Sequence, residues 1–134
     1  MRVVVDTGVF SASLSRRRRA HFEPLVGRMN RQQVFLAAVT VSELRYGALV
    51  AAWGEQRRQR LEASIRTATV VPISDALLTA AAELRFACRR AGHPLHDRSH
   101  ANDLWIAASA VHIGAALLSA DEVFSDTPGL TLLR

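Results

Sequence analysis

The sequence predicts a single α/β domain with a central, mainly parallel sheet of four to five strands covered by helices on both faces. Three observations carry this. Short apolar runs at Val3–Val5, Gln33–Val39 and Ala115–Ser119 lack the alternation of half-exposed strands and read as strands buried on both sides. Longer segments with helical spacing and their own caps lie between them, and strands that alternate with helices favour right-handed crossovers into a parallel sheet. A chain of 134 residues is one domain, able to bury about two thirds of its unfolded surface without staples.

Each element follows in order. Val3–Val5, led in by Arg2, is the first strand; Asp6-Thr7-Gly8 ends it and turns the chain into a helix over about Thr7–Ser15, running into Arg16-Arg17-Arg18-Arg19. Pro24–Asn30 is a second short helix, and Gln33–Val39 the second strand. Thr40-Val41-Ser42-Glu43 then fits a capping box opening a helix that stops near Gly54. Glu55–Ala68 is a polar surface helix with a thin apolar line through Leu61 and Ile65. Val70–Ile73 is a short third strand, and Ser74 caps a long helix over Asp75–Ala91, stopped by Gly92 and Pro94. His93–His100 is a polar loop. Ala101–Ile113 is a helix ended by Gly114, Ala115–Ser119 the fourth strand, Phe124–Gly129 a turn, and Leu130–Leu133 a last strand.

Composition narrows the chemistry. The net charge is +5, and all 17 basic residues are arginines. No lysine is available as a catalytic amine, and every cation is a permanent, fork-shaped donor. A basic surface suits polyanions such as nucleic acid. The lone Cys88 rules out an intrachain disulfide and fits a small apolar core position. The N-terminus enters a strand directly rather than through a signal peptide, and no run of about 18 apolar residues exists to cross a membrane, so the expected compartment is the cytoplasm.

Four acids are expected at one edge of the sheet. Asp6 ends the first strand, Glu43 lies in the first turn after the second, and Asp121 follows the fourth. Asp103 opens the helix that runs back antiparallel to the fourth strand. In covered parallel sheets, ligands collect at the carboxyl ends of the strands. Each acid alone has a plain structural explanation as a cap or turn residue. Four carboxylates together raise one another's pKa and are unfavourable unless a cation joins them. Hard divalent ions with oxygen ligands meet that need, and Mg²⁺ takes one or two carboxylates while keeping several waters. An acidic pocket for Mg²⁺ or Mn²⁺ on a basic protein points to phosphodiester chemistry.

At these residues the chain resembles the PIN-domain ribonucleases, and within them the VapC-like toxins of toxin–antitoxin pairs. The matching pieces are Val5-Asp6-Thr7, Val41-Ser42-Glu43-Leu44 with Tyr46-Gly47, Asn102-Asp103-Leu104-Trp105-Ile106-Ala107-Ala108-Ser109-Ala110, and Leu117-Leu118-Ser119-Ala120-Asp121 followed by Phe124. No one of them is specific, but the ordered set spans essentially residues 1–134. The resemblance implies Asp6 and Asp103 as principal metal ligands, with Glu43 and Asp121 completing the pocket partly through water. It implies Thr7 and Ser119 as hydroxyls that steady it; the family often has Thr where Ser119 stands. Asp126 is the alternative fourth acid. Also implied are Mg²⁺- or Mn²⁺-dependent cleavage of RNA by metal-activated water, a homodimer, and a cognate antitoxin that lays a peptide over the site. Arg16, Arg17, Arg18 and Arg19 are either an RNA phosphate patch or a solvated helix end.

Rival readings are weighed against single residues. A haloacid-dehalogenase-type phosphatase wants a second Asp two residues after the first, where Gly8 stands, and a lysine, which a phospho-accepting receiver domain also needs. A ribonuclease H-like nuclease expects an opening antiparallel hairpin, whereas the chain enters helix directly after Asp6. A non-catalytic RNA- or protein-binding module on the same fold remains the alternative function. His93, His96, Asp97 and His100 have spacing for a transition-metal site, against the plainer reading of a solvated loop. The arginines of the polar helix, Arg57, Arg58 and Arg60, read as water-facing.

Overall fold

The computed structural model describes residues Met1–Arg134. Five strands form one all-parallel sheet in the order β3-β2-β1-β4-β5. The strands are β1 Arg2–Val5, β2 Gln33–Ala37, β3 Thr69–Val71, β4 Ala116–Leu118 and β5 Leu132–Leu133. The helices are α1 Thr7–Ser13, α2 Arg16–Arg19, α3 Glu23–Met29, α4 Ala38–Val50, α5 Glu55–Arg66, α6 Asp75–Ala91 and α7 Ala101–Ile113. Single 3₁₀ turns lie at Ala20–Phe22, Pro94–His96, Arg98–His100 and Glu122–Phe124.

The N-terminal strand is the central one. Val3 pairs with Val34 of β2 and with Ala116 of β4. Side chains alternate across a strand, and here both destinations are dry. Val3 and Val5 enter a core with Val9, Val26, Leu36, Leu44 and Ile65. Val4 enters the opposite core with Ala81, Leu84, Cys88, Ile106 and Leu117. The β-branched run is therefore explained by burial on both faces, as the sequence predicts.

Several boundaries differ from expectation. β2 ends at Ala37 and α4 begins immediately at Ala38, with Ala37 as a cap that makes no side-chain hydrogen bond. The predicted capping box is therefore incorrect. Thr40 lies inside the helix, where its hydroxyl faces Thr7 instead of an orphan N–H. β3 covers Thr69–Val71 rather than Val70–Ile73, because Pro72 has no N–H to continue the ladder. α1 stops at Ser13; Ser15 turns extended and caps a separate turn of four arginines through Arg18 N–H. β5 is shorter than Leu130–Leu133, since Leu130 N–H closes a turn onto the Thr127 carbonyl. The predicted His93–His100 loop contains two 3₁₀ turns.

α6 ends as predicted. Gly92 is left-handed at φ 70°, and His93 N–H reaches back to the Cys88 carbonyl at 2.8 Å. A Cβ at Gly92 meets nothing, so the cost of adding one is purely backbone strain. Gly92→Ala is expected to lower stability by about 1 kcal/mol, read as a fall of about 3–5 °C in Tm with the fold unchanged.

Candidate functional site

The carboxyl edge of the sheet opens into a cavity of about 440 Å³ whose lining includes Asp6, Thr7, Glu43, Asp103, Asp121 and Phe22. The four acids expected at one edge are thus brought to one space. Asp126 does not line it; it sits at an exposed turn with φ 58°. Between the two alternatives for the fourth acid, the geometry favours Asp121.

Asp6 is held tightest. It is 8 % exposed. Oδ1 accepts Val9 N–H at 2.8 Å, making Asp6 the N-cap of α1. Oδ2 accepts the Ser119 hydroxyl. Ser119 Oγ in turn accepts Asp121 N–H at 3.0 Å. One buried hydroxyl therefore ties the first acid to the backbone of the fourth across 113 residues of sequence. Burial pushes the Asp6 carboxyl above its usual pKa. The bonds from Ser119 and Val9 pull it back, and the negative charges of Asp121 and Asp103 add to the rise.

Glu43 is oriented from across the sheet. Thr7 Oγ1 donates to Glu43 Oε1 at 2.8 Å. That uses the only proton Thr7 has, so the 3.1 Å contact between Thr7 and Thr40 hydroxyls is donated by Thr40. A relay Thr40–Thr7–Glu43 replaces the expected local cap. Asp121 caps the Glu122–Phe124 turn through Val123 N–H at 3.0 Å and lines the cavity. Asp103, in the first turn of α7, has Oδ2 3.2 Å from His100 Nδ1.

Sequence reasoning passed over two residues here. His100 was grouped with a loop of ligands, although a His three residues before a helix-opening Asp is itself an i,i+3 signal. Phe22 carried no signal; it reaches the cavity only because the Ala20–Phe22 turn follows the arginine turn. That connection also places Arg16–Arg19, all exposed, on a segment that leads to the cavity rim.

The histidine loop is not a metal centre. No three His, Cys, Asp or Glu side chains anywhere in the chain converge on a ready-made cage. His93 is buried and uses both nitrogens. Nδ1 accepts Leu95 N–H, and Nε2 lies 2.8 Å from the Ser125 carbonyl. Asp97 is tied to Ser99. For the acidic cavity the same observation has a different meaning. Mg²⁺ needs only one or two direct carboxylates and keeps its waters. The donors around this cavity are all hard oxygens, and the one thiol, Cys88, is buried in the core and does not line it. The donor set fits a hydrated hard divalent ion.

Comparison with known proteins identifies the family. A PIN domain family model matches residues 3–130. The chain is 34 % identical over 128 residues to Ribonuclease VapC5 of Mycobacterium tuberculosis, covering 94 % of this chain and 87 % of that protein. Among solved structures, VapBC2 from Rickettsia felis, bound to a DNA fragment from its promoter, superposes with a TM-score of 0.79 at 20 % identity, covering 99 % and 98 % of the two chains. VapBC-5 of Mycobacterium tuberculosis, a member of the VapBC family of toxin–antitoxin systems, gives 0.66 at 28 % identity, with 99 % and 98 % coverage.

Proposed function

This chain belongs to the PIN-domain family and, within it, groups with the VapC ribonucleases; from that premise we propose that it is the endoribonuclease toxin of a toxin–antitoxin pair. The observation that carries the reading is the convergence of Asp6, Glu43, Asp103 and Asp121 on one cavity, with Asp6 buried and its pKa raised. A cluster of that kind, on a chain of net charge +5, suits a divalent cation and a polyanionic substrate.

Asp6 and Asp103 would hold Mg²⁺, or Mn²⁺, with Glu43 and Asp121 completing the pocket through water. A divalent ion held there would lower the pKa of a water and offset negative charge on the phosphodiester. The chain's own residues prepare the rest. Ser119 and Val9 N–H fix both oxygens of Asp6. Thr7 fixes one oxygen of Glu43, which turns the other toward the cavity as acceptor for the proton of the attacking water. His100 steadies Asp103 from outside the cavity. Arg16–Arg19, reached through Phe22, would hold flanking phosphates.

An antitoxin partner is supported by the structural neighbours, which are VapBC assemblies. No helix is long and apolar enough to cross a membrane, and cytoplasmic action on RNA as a homodimer completes the proposal. Incubation of the purified chain with RNA in Mg²⁺ should give discrete cuts that EDTA abolishes and added Mg²⁺ or Mn²⁺ restores. Absence of cutting of any RNA under both metals, with the fold intact, would instead favour a non-catalytic binding module.

A further inference from the structure

A second feature lies outside the acidic cavity. The C-terminal half of α6 and the turns after it carry Arg85, Phe86, Arg89, Arg90, His96 and Arg98. Phe86 is 59 % exposed, out of keeping with a helix whose Leu77, Leu84 and Cys88 are buried. Spacings of three and four residues put Phe86, Arg89 and Arg90 on neighbouring positions of the outer surface. The Arg90 guanidinium lies 5.8 Å from the Phe86 ring centroid, and Arg85, Phe86, Arg89 and His96 line one open concavity.

None of these arginines has a carboxylate partner, since the ion pairs of the chain involve Arg19, Arg45, His100 and Arg134. Asp97 shares a neighbouring concavity with Arg85 and Arg98, but its hydrogen bonds go to Ser99 and it forms an ion pair with neither guanidinium. The helix dipole accounts for Arg89 and Arg90 in the last turn, but for neither the exposed ring nor Arg85 and Arg98. By contrast, Arg58 and Arg66 of α5 share a concavity with Glu55 and Glu62, and Arg45 is spent on Glu62. The patch also leads somewhere. Arg85 Nε holds the His96 carbonyl at 3.0 Å; from there the chain passes through Arg98 to His100, which contacts Asp103 in the cavity.

We propose that this face of α6 is a docking site for single-stranded RNA, with Phe86 stacking one unpaired base and Arg85, Arg89 and Arg98 holding phosphates of the strand that extends from the acidic cavity. Unpaired guanidinia supply charge complementarity for the backbone, and an exposed ring flanked by arginine supplies a sequence-tolerant platform for a base. The proposal rests on the ribonuclease reading, yet it is separable from it by experiment.

Binding of a fluorescein-labelled single-stranded RNA 20-mer is measured by anisotropy on the full Asp6→Asn chain, which should not cut it. Phe86→Ala and Arg89→Gln should each weaken binding by about fivefold or more. Arg89→Gln should also reduce the slope of log affinity against log salt by about 0.7, whereas Phe86→Ala should leave the slope unchanged. Arg58→Gln on α5, beside Glu55 and Glu62, is the control and should have no effect. Both test residues are exposed, and unchanged melting curves will verify the fold. In the cutting-competent chain, Phe86→Ala should raise KM for the 20-mer while leaving kcat and the cleavage of a tetranucleotide unchanged. Equal binding by all variants overturns the docking site, as does a loss confined to Arg89→Gln, which would mean plain charge attraction. If the parent chain fails to cut RNA in Mg²⁺ or Mn²⁺, the ribonuclease reading falls, and the anisotropy series still decides the patch.

Discussion

Asp6→Asn is expected to abolish RNA cleavage and to make the metal-free protein more stable. The loss should be at least about 100-fold, because disturbing a group that merely supports a ligand already costs 10–100-fold, and Asp6 is proposed as the ligand itself. The gain in stability follows from the same burial. A carboxyl whose folded pKa is raised contributes its stability below the unfolded pKa, and that contribution is lost as the pH rises through the folded value. Once that carboxyl is ionised, the native protein carries an unfavourable buried charge that Asn removes. The geometry tolerates the change. The amide oxygen can still cap α1 at Val9 N–H, and Ser119 Oγ can accept from the amide nitrogen provided its own proton, now given to Asp6, turns to another acceptor. Tm of Asp6→Asn in EDTA should exceed that of the parent by a few degrees at pH 7, on the order expected for one unfavourable interaction in a chain of this size. The difference should shrink as the pH falls through the raised folded value and level off below about 4, the ordinary carboxylate value. Mg²⁺ should then raise Tm of the parent and not of the variant. A variant that still cuts RNA at the parental, metal-dependent rate would remove Asp6 from the chemistry.

The largest loss of stability is expected from Phe124→Ala. Phe124 is 1 % exposed and the bulkiest of the fully buried side chains, in the core layer beneath α6 and α7. Truncating such a ring costs about 3–5 kcal/mol, a large share of the 5–15 kcal/mol typical of a domain. The urea midpoint should fall by about 1–2 M with little change in slope. Phe124 also closes the turn that Asp121 caps, so cleavage at temperatures where the variant is folded should fall as well. A midpoint shift under about 0.3 M would contradict the packing described.

These two residues mark what was legible in the sequence. Val3–Val5 followed by Asp6 announced itself through local pattern alone, and the alternation of strands with helices placed Glu43, Asp103 and Asp121 at the same edge. Local pattern also misled. Thr40 and Glu43 matched a capping box, but Ala38 already continues the chain into helix, and both side chains answer to Thr7, 33 and 36 residues away. The Ser119 bridge between Asp6 and the Asp121 backbone spans most of the chain, so no spacing rule reaches it; the family resemblance supplied Ser119 as a residue and not the bond. His93 matched a ligand pattern because its sequence neighbours are polar, while its real partners, Leu95 and Ser125, are set by burial. Periodicity reports which face is buried. It does not report which polar groups meet across the sheet.

The position of β1 has a consequence for how the molecule comes into being. Its right-hand neighbour is β4, and Asp6 N–H bonds to the Leu118 carbonyl at 3.1 Å. A chain emerging from the ribosome can pair β1 with β2 early, yet the acidic cavity has neither Asp121 nor the Ser119 hydroxyl until about nine tenths of the sequence has been made. Such long-range closure is the slow part of folding. A prematurely terminated product is left with an unpaired central strand edge and an incomplete set of acids, prone to aggregation and proteolysis rather than to cutting RNA. If the chain cuts RNA as proposed, this topology makes cutting the last property the nascent chain acquires.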